Sequence, residues 1–204
     1  MNFDFSEDQK LLKEQVSRFL QDKCSLDIAR SILESDEQYS KEVWKGLVEL
    51  GLTGTTIPEE YGGLGLGALE LCVIAEELGR FAAPVPFSSS VYLATEAIKI
   101  YGTSEQKELW LPKLASGEII ATFALSENAS EPSEKNINTT IIGNKLNGKK
   151  LPVPDGSYAD ICVVVVRDKG SNTISLALVE MNSKGITKNE LKTLDPSRNH
   201  AELI

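Results

Sequence analysis

The sequence predicts an α+β chain in two parts, helices first and short strands after. Three observations carry this. Apolar residues recur at helical spacing through about residue 115, twice behind a capping-box pattern. After Gly117 the apolar runs shorten, gain β-branched residues, and are separated by Gly, Asn, Asp and Ser. Gly117 itself stands where a helix stops and a strand begins. Residues 1–118 therefore read as an all-α domain, and residues 119–204 as a β domain built as an antiparallel barrel or sandwich.

The elements follow in order. Ser6 and Gln9 form an S-x-x-Q capping box ahead of Leu11, Leu12, Val16, Phe19 and Leu20, which share one helical face. A second helix holds Leu26, Ile28, Ala29, Ile32 and Leu33. A third holds Val43, Trp44, Leu47 and Val48, with Gly51 placed to end it in a left-handed conformation. Ile57 to Gly67 is a loop by composition. The next helix carries Leu69, Leu71, Cys72, Ile74, Ala75 and Leu78 on several faces and is expected to be buried all round. Ala83-Pro84-Val85-Pro86 breaks it. Another helix carries Val91, Tyr92, Ala94, Ala97, Ile98 and Tyr101. Thr103 and Gln106 repeat the capping box before Leu109, Trp110 and Leu114. Strands are expected at Ile119–Leu125, at Thr139–Ile142 and Lys145–Asn147 around a Gly143-Asn144 turn, at Tyr158–Val166, and at Thr173–Glu180. The final A-E-L-I reads as a strand without a turn behind it, so a fragment or one part of an assembly is expected.

Composition narrows the function classes. The 204 residues are 41% hydrophobic and 25% charged, as in a globular chain. The net charge of −9 argues against a nucleic-acid partner, which needs clustered cations. No apolar run reaches the ~18 residues of a membrane span. The acidic N-terminus lacks a signal-peptide pattern, so a cytoplasmic location is expected. Cys24, Cys72 and Cys162 are isolated and read as small side chains rather than disulfides or ligands. His200 is the only histidine, which excludes a histidine triad or a multi-histidine metal site in this chain. No metal site is expected.

Two local patterns look chemical and read better as structure. Gly62 to Gly67 lacks the G-x-G-x-x-G spacing, because Ala68 stands where the third glycine belongs, and no strand precedes it. It reads as a tight loop. Glu59-Glu60 and Glu76-Glu77 are adjacent pairs whose members do not face each other on a helix.

Several segments, in order, resemble the first part of the acyl-CoA dehydrogenase family. They are D-F-S-E-D-Q-K-L-L-K-E-Q-V-S-R-F-L from Asp4, I-P-E-E-Y-G-G-L-G-L-G from Ile57, and G-T-S-E-Q-K-E-L-W-L-P-K-L-A-S-G-E-I-I-A-T-F-A-L-S-E from Gly102. N-G-K-K at Asn147, A-D-I-C-V-V-V-V-R at Ala159 and L-K-T-L-D-P-S-R at Leu191 extend the likeness. The resemblance implies a helical N-terminal domain, a β-barrel middle domain and a C-terminal helical bundle, the last absent here. It implies FAD as cofactor and α,β-oxidation of an acyl-CoA thioester to the enoyl-CoA. The family's catalytic carboxylate usually lies in the C-terminal bundle, so the base is expected beyond residue 204 and no catalytic residue is assigned within the chain.

The resemblance also implies a cofactor-contact set: Phe123, Leu125 and Ser126 on one strand, and Pro152, Val153 and Pro154 on another. Two departures mark it. Family members often read E-P-G-A-G-S-D where this chain has Glu127-Asn128-Ala129-Ser130-Glu131-Pro132-Ser133, so a ligand-holding serine is replaced by Pro132. Many carry W-I-T or W-I-S where this chain has Pro152-Val153-Pro154, so an aromatic platform and a hydroxyl near flavin N5 are replaced by prolines. A homo- or hetero-oligomer is expected. The alternative function is a non-catalytic partner subunit of an acyl-CoA dehydrogenase-like hetero-oligomer, and a third is a module that holds CoA esters without redox turnover.

Overall fold

The computed structural model describes residues 4–128, 131–194 and 197–204. They form two compact units, Met1–Val85 with Lys107–Glu118, and Pro86–Gln106 with Ile119–Ile204.

The first unit is helical. In α1 (Glu7–Lys23) the predicted capping box is complete: Ser6 Oγ accepts from the Gln9 N–H at 3.2 Å, and the Ser6 N–H donates to Gln9 Oε1 at 3.0 Å. Val16 and Leu20 are buried, but Leu11 faces solvent, so the apolar stripe is shorter than its periodicity implied. Serines cap α2 (Leu26–Leu33) and α3 (Lys41–Glu49). Gly51 ends α3 at φ +74°, where a side chain would be strained. The helix α4 (Ala68–Arg80) is one-sided rather than buried all round. Leu71, Val73, Ile74 and Leu78 face the core, while Leu69 and Cys72 fall with Glu76 on an outer face at helical spacing.

Residues 86–106 are helical as expected, yet they cluster with the strands. The predicted single helix is a π-helical segment, Ser88–Thr95, running into α5 (Glu96–Tyr101). Over two turns, apolar spacing does not separate a 3.6-residue period from the wider π turn. The next helix, α6 (Ser104–Ala115), has its predicted Thr103–Gln106 box, closed in both directions at 3.0 and 3.3 Å. Gly117 follows it at φ +64°.

The strands are β1 (Ala121–Ala124), β2 (Thr140–Ile142), β3 (Lys145–Asn147), β4 (Lys150–Pro154), β5 (Ile161–Asp168), β6 (Ile174–Glu180), β7 (Lys188–Glu190) and β8 (His200–Leu203). The β2–β3 hairpin turns at Gly143-Asn144 as predicted, with positive φ at Gly143 alone of the two, the pattern of a II′ turn.

The expected barrel or sandwich is antiparallel only in part, and no closed barrel is seen: among the described residues the strands form two open sheets, β4-β8-β7 and one centred on β5. Along one edge of β5, β1 and β2 lie end to end and run parallel to it, while β6 pairs antiparallel on the other edge. Short turns dictate antiparallel neighbours, but β1 reaches β5 through a long excursion, which permits parallel pairing. Ala124, Val153, Cys162, Val164, Val166, Ala177, Met181, Ala201 and Leu203 form a core drawn from both sheets. β5 is buried on both faces through its V-V-V-V run, as a central strand should be.

Candidate functional site

The six predicted residues lie on neighbouring segments: Phe123 on β1, Leu125 and Ser126 just past its end rather than on the strand as expected, and Pro152, Val153 and Pro154 on β4. The Thr122 hydroxyl donates to the Pro154 carbonyl at 2.5 Å, and the Leu151 N–H donates to the Ser126 carbonyl at 2.9 Å. The two bonds align the strands in opposite directions. Ala124 and Val153 point into the core. By strand alternation Phe123 and Leu125 share the opposite face, as do Pro152 and Pro154. Leu125 is 38% exposed and Pro152 is exposed, while Phe123 and Pro154 are half-buried. Val153 therefore stands apart from the predicted set. Its side chain is wholly buried core, and only its backbone borders the face.

Hydrogen-bond donors are unevenly placed around this face. Among the described residues, neither the N–H nor the hydroxyl of Ser126 has a partner, and Ser126 is half-buried. Strand β4 offers nothing comparable. Pro152 and Pro154 have no N–H. The Leu151 N–H is held by Ser126. Val153 stands opposite Ala201 in the ladder, and two residues on the Asp155 N–H donates to the Asn199 carbonyl at 2.8 Å. Antiparallel ladders alternate bonded and non-bonded pairs, so Val153 sits at a bonded pair and its N–H is committed to β8.

A buried ion pair fixes the end of β1. Lys150 Nζ lies 2.9 Å from Glu127 Oε1 and also donates to the Leu125 carbonyl at 2.9 Å. Glu127 accepts the Asn138 and Thr139 N–H groups at 2.7 and 2.8 Å. Burial pushes the Glu127 carboxyl up, but the Thr139 N–H and Lys150, helped by Asn138, outweigh it and hold the group down at about 2. Burial in turn lowers Lys150, against the pull of Glu127. Beneath them, burial pushes the Cys162 thiol up to about 12, so it is a packing residue and not a nucleophile.

The other end of β4 is held by Asp155, only 2% exposed and at φ +56°. It accepts from Ser89 Oγ at 2.5 Å and from the Tyr158 hydroxyl at 2.6 Å, with Arg198 3.9 Å away. Ser89 belongs to the π-helical segment, and its neighbour Ser90 accepts the Ala121 N–H at 3.1 Å. Both ends of the β1–β4 pair are thus anchored by buried polar groups. The pairs that tie separate elements together, Lys150 with Glu127, Ser89 with Asp155 and Ser90 with Ala121, carry no local sequence signal, because each spans more than twenty residues of chain. Of the segment expected to differ at Pro132, Ala129 and Ser130 lie outside the described residues, as do Asp195 and Pro196 of the Leu191–Arg198 match.

A cavity of about 340 Å³ opens elsewhere, lined by Leu146, Val164, Val179, Met181, Ile186 and Leu203 among others, and includes none of the six. Among the described residues no cluster of acidic, His or Cys side chains could hold a metal ion, and no helix is long and apolar enough to cross a membrane.

Comparison with known proteins gives a consistent result. The model of the acyl-CoA dehydrogenase N-terminal domain matches residues 6–118. Mitochondrial isovaleryl-CoA dehydrogenase of Arabidopsis thaliana is 33% identical over 201 residues, covering 90% of this chain and 47% of that protein. The solved complex of glutaryl-coenzyme A dehydrogenase with glutaryl-CoA superposes with a TM-score of 0.90 at 28% identity, over 100% of this chain and 55% of that one. An acyl-CoA dehydrogenase from Bacillus anthracis, solved with FAD, superposes with a TM-score of 0.86 at 27% identity, over 98% of this chain and 36% of that one. The chain spans about half the length of the curated relatives it matches.

Proposed function

As the chain belongs to the acyl-CoA dehydrogenase family, we propose that its β1–β4 face holds the ring of FAD in a protein that oxidises an acyl-CoA thioester between Cα and Cβ. The observation that carries this is Ser126. An apolar face formed by Phe123, Leu125, Pro152 and Pro154 ends at a residue whose hydroxyl and N–H have no partner among the described residues. A flavin ring is flat and apolar across its faces and rich in acceptors along its pyrimidine edge, so the donors and the face fit it. The FAD bound by the Bacillus anthracis relative and the glutaryl-CoA held by the glutaryl-coenzyme A dehydrogenase support the cofactor and the thioester class.

Each residue then has a defined task. Phe123, Leu125, Pro152 and Pro154 exclude water from one ring face. Ser126 orients the pyrimidine edge, and Glu127 with Lys150 fixes the backbone that presents Ser126. Bound flavin would supply the acceptor for the hydride leaving Cβ. Glu127 is not the base that removes the Cα proton: its oxygens are already bonded, and a carboxylate held at about 2 is a poor proton acceptor at neutral pH. That base is expected outside these residues. The protein works as a homo- or hetero-oligomer.

FAD titration of the chain, followed by quenching of flavin fluorescence, tests the reading. Saturable quenching that weakens in Ser126→Ala supports it. No quenching by well-folded chain counts against it and favours the second reading, a partner subunit that does not itself carry flavin. The missing donors on β4 are what favour that alternative.

A further inference from the structure

Resting on that flavin reading, we propose that Pro152 and Pro154 are specificity-determining residues that make β4 a wall without hydrogen-bond donors. A bound flavin ring then takes hydrogen bonds only along the edge at Ser126, and its N5 receives none from β4.

Counting donors along the strand leads to this. Leu151 to Asp155 offers at most three backbone N–H groups, because Pro152 and Pro154 have none. The Leu151 N–H is held by the Ser126 carbonyl at 2.9 Å, and the Asp155 N–H by the Asn199 carbonyl at 2.8 Å. The Val153 N–H is committed to β8 at its ladder position opposite Ala201. The side chains add nothing: Leu151, Pro152, Val153 and Pro154 are hydrocarbon, and the Asp155 carboxylate is buried and already accepts from Ser89 and Tyr158. The nearby Thr122 hydroxyl donates to the Pro154 carbonyl, so it too is occupied. The prolines cause no deficit in the sheet, because Pro154 stands at a ladder position between two bonded pairs, where its N–H would point away from β8 toward the neighbouring strand. A residue other than proline there would supply a donor that β8 does not claim.

Oxidised flavin carries acceptors along the pyrimidine ring and one more, N5, in the central ring. A donor-free β4 recognises that central region by shape and apolar contact and leaves N5 to solvent or to a second ligand. The site should therefore be indifferent to whether the atom at position 5 can accept a hydrogen bond.

The experiment compares FAD with 5-deaza-FAD, in which carbon replaces N5, by fluorescence titration of the wild-type chain and of Pro154→Thr. The wild-type chain should bind the two within about twofold. A preference for FAD of about tenfold, the size one hydrogen bond can confer, would overturn the proposal while leaving flavin binding intact. Binding of neither compound overturns it together with the reading on which it rests. In Pro154→Thr the added hydroxyl, on the side of the strand that faces the ring, should tighten FAD by about threefold to tenfold and leave 5-deaza-FAD unchanged. An equal gain for both, or none for FAD, removes Pro154 from the assignment. The wild-type comparison needs no variant, so a misfolded Pro154→Thr does not decide the matter.

Discussion

Lys150 reaches Glu127 at 2.9 Å with its side chain 3% exposed and that of Glu127 8% exposed, and the pair joins the start of β4 to the end of β1. Two further N–H groups, from Asn138 and Thr139, complete the carboxylate's shell. A pair this buried gains little over an apolar replacement, but losing one partner leaves an uncompensated charge in the interior.

Glu127→Gln should therefore destabilise the chain by about 3 kcal/mol at pH 7, because Lys150 loses its counter-charge. The pH dependence has a definite sign. The Glu127 carboxyl is held at about 2, below its ordinary 4.5, so its contribution is complete above about pH 4.5 and is lost as pH falls toward about 2. Urea unfolding midpoints across that window should drop in the wild type and be flatter in Glu127→Gln. Parallel curves for the two proteins would show that Glu127 does not carry the acid sensitivity.

How much of this was legible in sequence depends on how local each signal is. The two capping boxes, the left-handed Gly51, the helix stop at Gly117 and the Gly143-Asn144 turn are set by residues within four positions of each other, and all were readable. The sheet connectivity was not. Nothing near Ala121 says that its partner is Ile161 or that the two strands run parallel. The six residues that the resemblance implies as cofactor contacts lie on β1, on the two residues after it, and on β4. Val153 was the one whose side chain turned inward, since alternation along a strand fixes which neighbours share a face and motif matching does not. The anchors Glu127–Lys150 and Ser89–Asp155 are long-range pairs of ordinary polar residues, and only the fold brings them together.

Glu77 is a second buried acid, with the opposite expectation. It lies in α4 with no exposed side chain, and among the described residues neither carboxyl oxygen has a hydrogen bond. Its nearest cations, Lys13 Nζ at 3.8 Å and Arg80 at 3.7 Å, keep substantial contact with water, and Lys13 also pairs with Glu76 at 2.8 Å. Glu77→Met fills a similar volume and strands neither cation. It should leave stability unchanged or raise it by about 1–3 kcal/mol, read as an unchanged or higher melting temperature. A loss above about 2 kcal/mol would mean that the carboxylate contributes more than its geometry shows.

The Ser89–Asp155 bond gives the last test, because it separates support of the site from the site itself. Ser89 Oγ lies 2.5 Å from Asp155 Oδ2, inside the unit that carries β1 and β4, and Asp155 follows Pro154 directly. Ser89→Ala leaves a buried carboxylate with one donor fewer, which should cost about 1.5–3 kcal/mol. Among the described residues the Ser89 hydroxyl bonds only the Pro86 carbonyl and Asp155, and no face residue, so its loss should reach ligand binding through a shift of Pro154. Flavin affinity should then fall less in Ser89→Ala than in Ser126→Ala, measured where both variants are fully folded. If Ser89→Ala weakens flavin more than Ser126→Ala does, the orienting role belongs to the buried node and not to the Ser126 donors.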